Sequence, residues 1–388
     1  MTAAPRRIAV VTSSRADYGH LVWPLRELAA RPGVELRLIA FGSHLSPTWG
    51  DTIAEIERDG FEVAHRVECL LSSDRDVGMA KTIGVATLSL ADILAAERPD
   101  LLLIIADRYE MLAPASVALA LRIPIAHIEG GELSEGAIDQ AVRDALTKMA
   151  HLHLVPTRRA EARVLSLGEE PWRVHRVGAP SLDHLRRSEI PAAAEVAARH
   201  GASIDPGHLV VAYHPVTLDP DPAAEADAFF AALRRVDRPL VFCFPNADAG
   251  SYALQERARR LAEERPRTHL FVNLPHLEYW GLLREAAAIV GNSSSGIMEA
   301  PAIPIPAVDV GRRQQGRERA ACVIGAPPEA EGILAAIERV LSEEFRSVLP
   351  TVESPYGDGT AGERIAELLA GVELGDRLLD KRVLSIDP

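Results

Sequence analysis

The chain has 388 residues, too many for one average domain and enough for two cores of about 150 to 200 residues each. With 47% apolar and 25% charged residues it has the composition of a folded globular protein, not a disordered one. A formal net charge of -13 argues against partners that need a basic face, nucleic acid and anionic membrane, and three scattered cysteines argue against a disulfide framework or zinc site.

In chain order, "RIAVVTS" reads as a first strand, its apolar run being about five residues and too short for a signal-peptide core. Helical period follows over 18 to 30, then the strand "VELRLIAFG", a helix over 50 to 59, and the strand "DLLLIIA". A helix over 109 to 121, the strand "IPIAHIE", a helix over 136 to 149 and the strand "HLHLVPT" complete the first half. No apolar run approaches the roughly 18 residues that span a bilayer, and the few scattered cysteines make the cytoplasm the expected location. Beyond an Ala-, Pro- and charge-rich stretch near 180 to 205 the rhythm restarts: "LVVAYHP", a helix near 222 to 235, "PLVFCFP", a helix near 251 to 264, "THLFVNL", "AAIVGNS" and "IPAVDVG".

Short apolar runs alternating with helices indicate parallel sheets covered on both faces. The expected fold is α/β with two doubly wound Rossmann-like domains, residues 1 to 185 and 186 to 355. A closing helix, "AGERIAELLAG", lies within 356 to 388 and is expected to pack back on the first domain. Ligands of such folds bind beyond the carboxyl ends of the strands, here in an expected interdomain cleft.

The residues just after strands are therefore the candidates. Arg15, Ala16 and Asp17 follow the first strand where a helix begins, and Asp107, Arg108 and Glu110 follow the most apolar strand. "HIEGGELSEGAIDQAVR" places Glu129 and Glu132 at a strand end, with Asp139 and Arg143 four residues apart on the next helix. In the second half the candidates are His214, Asn246 and "GNSSSGIMEA", whose Ser293, Ser294 and Glu299 open a short helix suited to phosphate, with Arg313 nearby. Each has an ordinary explanation by itself: serine and aspartate cap helices, a lone histidine is usually structural, and an Asp–Arg pair four apart is usually a surface bridge. Neither the dinucleotide nor the P-loop glycine fingerprint is present.

Together, in order and spacing, "SSRADYGHL", "GSHLSPTWGDTIAEIERDGF", "DVGMAKTIG", "ADRYE", "HIEGGELSEGAIDQAVR", "YHPVT", "FPNADAG", "GNSSSGIMEA" and "GRRQQGR" resemble the hydrolysing UDP-N-acetylglucosamine 2-epimerases of sialic-acid-type biosynthesis. The resemblance implies the GT-B fold. It also implies Asp107, Glu129 and Asp139 as the reacting carboxylates, with Arg143 beside them. Arg15, Ala16, Asp17 and Arg108 would line the sugar-nucleotide cleft, and His214, Asn246, Ser293, Ser294, Glu299 and Arg313 would hold UDP. Two positions depart from the family pattern: Ala106 stands where glycine is usual, and Met298 where many relatives carry arginine or lysine.

The implied chemistry is anti elimination of UDP to a 2-acetamidoglucal, then hydration with inversion at C2 to give N-acetylmannosamine. The hydrogen moves as a proton, so no metal and no nicotinamide cofactor is expected; the expected partners are the UDP-sugar and further copies of the chain, as a homodimer or homotetramer. The alternatives are a 2-epimerase of a nucleotide-linked 2,4-diacetamido-2,4,6-trideoxyhexose, a non-hydrolysing 2-epimerase, a glycosyltransferase of the same fold, and a silent nucleotide-sugar sensor.

Overall fold

A computed structural model describes residues 4–49, 52–71, 75–135, 137–216, 225–244, 251–272 and 274–382. The chain divides into two compact units, one of Met1–Glu132, Ile138–Arg186 and Tyr356–Pro388, the other of Leu133–Ala137 and Arg187–Pro355.

The first unit holds β1 (Arg6–Thr12), β2 (Val34–Phe41), β3 (Val63–Val67), β4 (Leu101–Ile105), β5 (Ile125–Ile128), β6 (Leu152–Val155) and β7 (Val174–Arg176). They form one parallel sheet of seven strands in the order β3-β2-β1-β4-β5-β6-β7. The order reverses between β1 and β4, which makes their carboxyl ends the switch point where doubly wound sheets take ligands. Strand β4 is buried along its whole length because helices cover both faces. The helix Ala361–Gly371 packs on the helix Arg15–Ala30, its first two amides donating to the buried Asp183 carboxylate at 2.9 and 2.7 Å.

The second unit holds β8 (Leu209–Ala212), β9 (Leu240–Phe244), β10 (Thr268–Val272), β11 (Ala288–Gly291), β12 (Ala307–Val310) and β13 (Val323–Ala326). Its six strands run parallel in the order β10-β9-β8-β11-β12-β13, with the reversal between β8 and β11.

The sequence reading passes over β3, β7 and β13, and for one reason. Each is an edge strand: "VAHRV" and "VHR" carry polar residues and lack a continuous apolar run, and "VIGA" is only four residues long with its middle two not fully buried. It also passes over the helix Asp76–Glu97, which is long and apolar enough to cross a membrane by length and composition. That corrects the expectation that no segment meets this standard. Here the helix is the crossover from β3 to β4, burying Gly78, Thr82, Ala86, Leu90 and Leu94 along one stripe and packing on the helix Leu112–Leu121.

Candidate functional site

At the end of β1, Ser14 caps the following helix by accepting from the Asp17 amide at 3.4 Å. Asp17 folds back into the turn, accepting from the Ser13 amide at 3.0 Å and the Ser13 hydroxyl at 2.6 Å. Burial pushes its pKa up, opposed by the charge of Arg108 and the Ser13 donors. Arg15 and Ala16 stay half-buried on the first turn.

At the end of β4 the chain turns through Ala106 with φ 57°, a left-handed conformation that costs an L-residue about 1 to 2 kcal/mol. Its two ends explain why the turn persists: the Ala106 amide donates to Ile128 O at 2.9 Å, and its carbonyl accepts from His127 Nε2 at 2.7 Å. Burial lowers the His127 pKa to about 4, so the ring is neutral near pH 7 and donates that bond as a neutral imidazole. The next residue, Asp107, forms an ion pair with Arg143, whose side chain is only 2% exposed. Arg108 bonds Glu110 at 2.9 Å. Glu110 has no exposure at all, and burial raises its pKa against the pull of Arg108.

At the end of β5, Glu129 is also left-handed, with φ 65°, and its Oε1 lies 2.7 Å from His20 Nδ1. Sequence reasoning missed His20. The two residues are 109 positions apart, and only the pairing of β1, β4 and β5 in one sheet brings the helix Arg15–Ala30 to Glu129. Glu132 accepts from Thr157 Oγ1 at 3.3 Å and from the Tyr356 hydroxyl at 3.1 Å, so this buried acid braces the turn. Asp139 lies half-buried in the first turn of the helix Ile138–Met149, and Arg143 lies one turn on.

In the second unit the key residue is Asn292, just beyond β11. Its Oδ1 accepts from the His214 amide at 2.7 Å and its Nδ2 donates to the His214 carbonyl at 2.9 Å, clamping the end of β8 to the serine turn. The Asn292 carbonyl accepts from Arg313 Nη1 at 3.3 Å and Gln314 Nε2 at 2.9 Å. His214, the serine turn and Arg313 are thus brought together around one asparagine. Glu299 closes the helix Ser295–Met298 and is nearly buried. At four residues that helix is too short to supply a sizeable dipole. Asn246 lies outside the described residues.

Two further arginines serve this unit. Arg317, 6% exposed, donates to Leu133 O at 2.5 Å, Ser134 Oγ at 3.3 Å and Met298 Sδ at 3.5 Å. Met298 thus has a guanidinium beside it. Arg319 pairs with Asp309, whose carboxyl burial pushes up to about 6 despite Arg319, Arg317 and Arg313. Among the described residues no group of three or more His, Cys, Asp or Glu could hold a metal ion.

The family described as UDP-N-acetylglucosamine 2-epimerase matches residues 26–370. The chain is 31% identical to the UDP-N,N'-diacetylbacillosamine 2-epimerase (hydrolyzing) of Legionella pneumophila, over 97% of this chain and 98% of that one. It is 33% identical to the GDP/UDP-N,N'-diacetylbacillosamine 2-epimerase (hydrolyzing) of Campylobacter jejuni, over 88% and 89% of the two chains. In structure it resembles S. aureus MnaA solved with UDP, at a TM-score of 0.79, 17% identity, and 94% and 96% coverage of the two chains. That likeness shows the fold, α/β of the GT-B type.

Proposed function

The chain belongs to the UDP-N-acetylglucosamine 2-epimerase family, and from this we propose that it is a hydrolysing 2-epimerase of UDP-linked 2-acetamido hexoses. The substrate of the first reading is UDP-N-acetylglucosamine, and the products are UDP and N-acetylmannosamine. The observation that carries the reading is the placing of two carboxylates, Asp107 and Glu129, at the ends of the adjacent strands β4 and β5, each with a basic partner.

The hydrogen at sugar C2 is flanked by an amide nitrogen and not a carbonyl, so it becomes acidic only as the C1–oxygen bond loosens. The first step therefore needs two things at once. A carboxylate among Asp107, Glu129 and Asp139 takes the C2 proton while the C1–O electron pair leaves with UDP, forming the C1=C2 bond. Arg313, Ser293, Ser294 and His214 stabilise the departing diphosphate, with Asn246 and Glu299 for the rest of the nucleotide. Arg15 and Ala16 border the sugar, and Asp17 and Arg108 support that wall through Ser13 and Glu110. Water then adds at C1 and a proton returns to C2 on the opposite face.

A second reading, a UDP-linked 2,4-diacetamido-2,4,6-trideoxyhexose as substrate, is favoured by the names of the Legionella and Campylobacter relatives. Both readings share the elimination. One experiment separates them: incubate the protein in D₂O with each UDP-sugar and follow products by NMR. Release of a free 2-epimer carrying deuterium at C2 is expected, and the sugar consumed names the substrate. An epimer still attached to UDP would overturn the hydrolytic reading.

The reading includes a homodimer or homotetramer in the cytoplasm, a setting that suits three free, buried cysteines. Val77, Val85 and Leu88 lie exposed on one stripe of the helix Asp76–Glu97, with Leu88 at 76%, an apolar surface suited to a second copy. Light scattering is expected to give a mass of two or four chains for the native protein and a lower mass for Leu88→Asp. An unchanged monomer in both would refute this.

A further inference from the structure

Asp107 and Glu129 carry partners of different chemistry. Asp107 pairs with Arg143, a guanidinium that does not give up its proton in a protein, and the pair is closed in, with side chains 15% and 2% exposed. Glu129 pairs with His20, an imidazole whose two ring nitrogens can take up and pass on a proton, at 2.7 Å and with the ring 20% exposed. The left-handed backbone at Glu129 aims that carboxylate, and the sheet holds it there through the Glu129 amide, which donates to Leu154 O at 2.9 Å.

We infer that His20 is a positioning residue that makes Glu129 the proton-exchanging carboxylate of the site, while Asp107 remains an anion throughout and acts by its charge. This rests on the epimerase reading and deepens it. The balance of the step is complete without any further reactant. Glu129 receives the proton from C2 as the C1–O bond breaks toward UDP and is neutralised by it; the proton then passes to the imidazole and from the ring, 20% exposed, to water, which restores the carboxylate. Asp107, fixed by Arg143, offsets the positive charge developing at C1 and takes no proton. The reverse assignment is opposed by charge: the Arg143 guanidinium beside Asp107 favours the carboxylate over the neutral acid.

The test uses His20→Asn, which keeps a donor near the Nδ1 position and removes the titrating ring. With substrate deuterated at C2, the expected result is a fall in kcat of about 10- to 10²-fold. The primary isotope effect rises, because proton removal becomes the slow step, and KM and UDP affinity stay within about twofold. Should His20→Asn not fold, Glu129→Asp, which draws the carboxylate back from the ring, is expected to raise the isotope effect likewise. Unchanged kcat, or a lowered kcat with an unchanged isotope effect, overturns the inference. Wild-type protein without turnover on any UDP-linked 2-acetamido sugar would instead sink the epimerase reading itself, so the two failures are distinguishable.

Discussion

Asp107→Asn, Glu129→Gln and Asp139→Asn are each expected to lower turnover by on the order of 10²-fold or more, the usual scale for loss of a proton-transferring or charge-stabilising carboxylate, while UDP affinity holds. The amides are nearly isosteric, so packing is kept and the change falls on charge and proton affinity. For Asp107 a second cost is built in: its replacement removes a carboxylate that the nearly buried Arg143 pairs with, so a loss of stability accompanies the loss of rate. Glu129→Gln keeps a contact to His20 and is expected to spare stability. Steady-state kinetics, UDP titration calorimetry and thermal melts together separate these effects. Full activity in all three variants would remove the carboxylates from the chemistry.

Gly131→Ala is expected to be a strongly damaging conservative change in the turn after β5. Gly131 has φ 79°, and a Cβ there would collide with the Ala160 carbonyl and lie 2.8 Å from Val164 Cγ2. Both obstacles belong to the helix Arg158–Ser166, and the Ala160 carbonyl is backbone and cannot rotate aside. Left-handed strain and the clash add, for a loss on the order of 3 kcal/mol or more. The neighbour is a control. At Gly130 the nearest atoms to a Cβ are His127 Nδ1 at 3.1 Å and Thr147 Oγ1 at 3.2 Å, both side chains, and Gly130→Ala is expected to cost about 1 kcal/mol. Chemical denaturation of the two variants measures the difference; equal stabilities would show that the helix Arg158–Ser166 yields.

The glycine pair shows where sequence reasoning stops. Two consecutive glycines announce a tight turn or a close approach, and both readings are open in the string "EGG". The packing shows both at Gly131: a left-handed turn and a close approach to the helix Arg158–Ser166. The same holds for the acids. Glu129, Glu132 and Asp139 look equivalent as three carboxylates near one strand end, yet Glu132 is tied to Thr157 and Tyr356, and Glu129 to His20. Arg143 stands four residues from Asp139, a spacing that suggests a bridge along the helix, and the tertiary structure gives it Asp107 from another strand.

Local pattern by itself determined the alternation of buried strands and helices, and therefore two parallel sheets and the strand ends at which polar residues gather. That information is carried by residues a few positions apart, where apolar periodicity reports burial directly. The short strands β3, β7 and β13, the joining of Leu133–Ala137 to the second unit, the left-handed Ala106 and Glu129, and the partners of each carboxylate were decided by the tertiary structure alone. The physical reason is common to them. An edge strand has too little buried surface to mark its sequence, and a hydrogen bond or ion pair between residues up to more than a hundred positions apart depends on strand order, which no local window of the chain encodes.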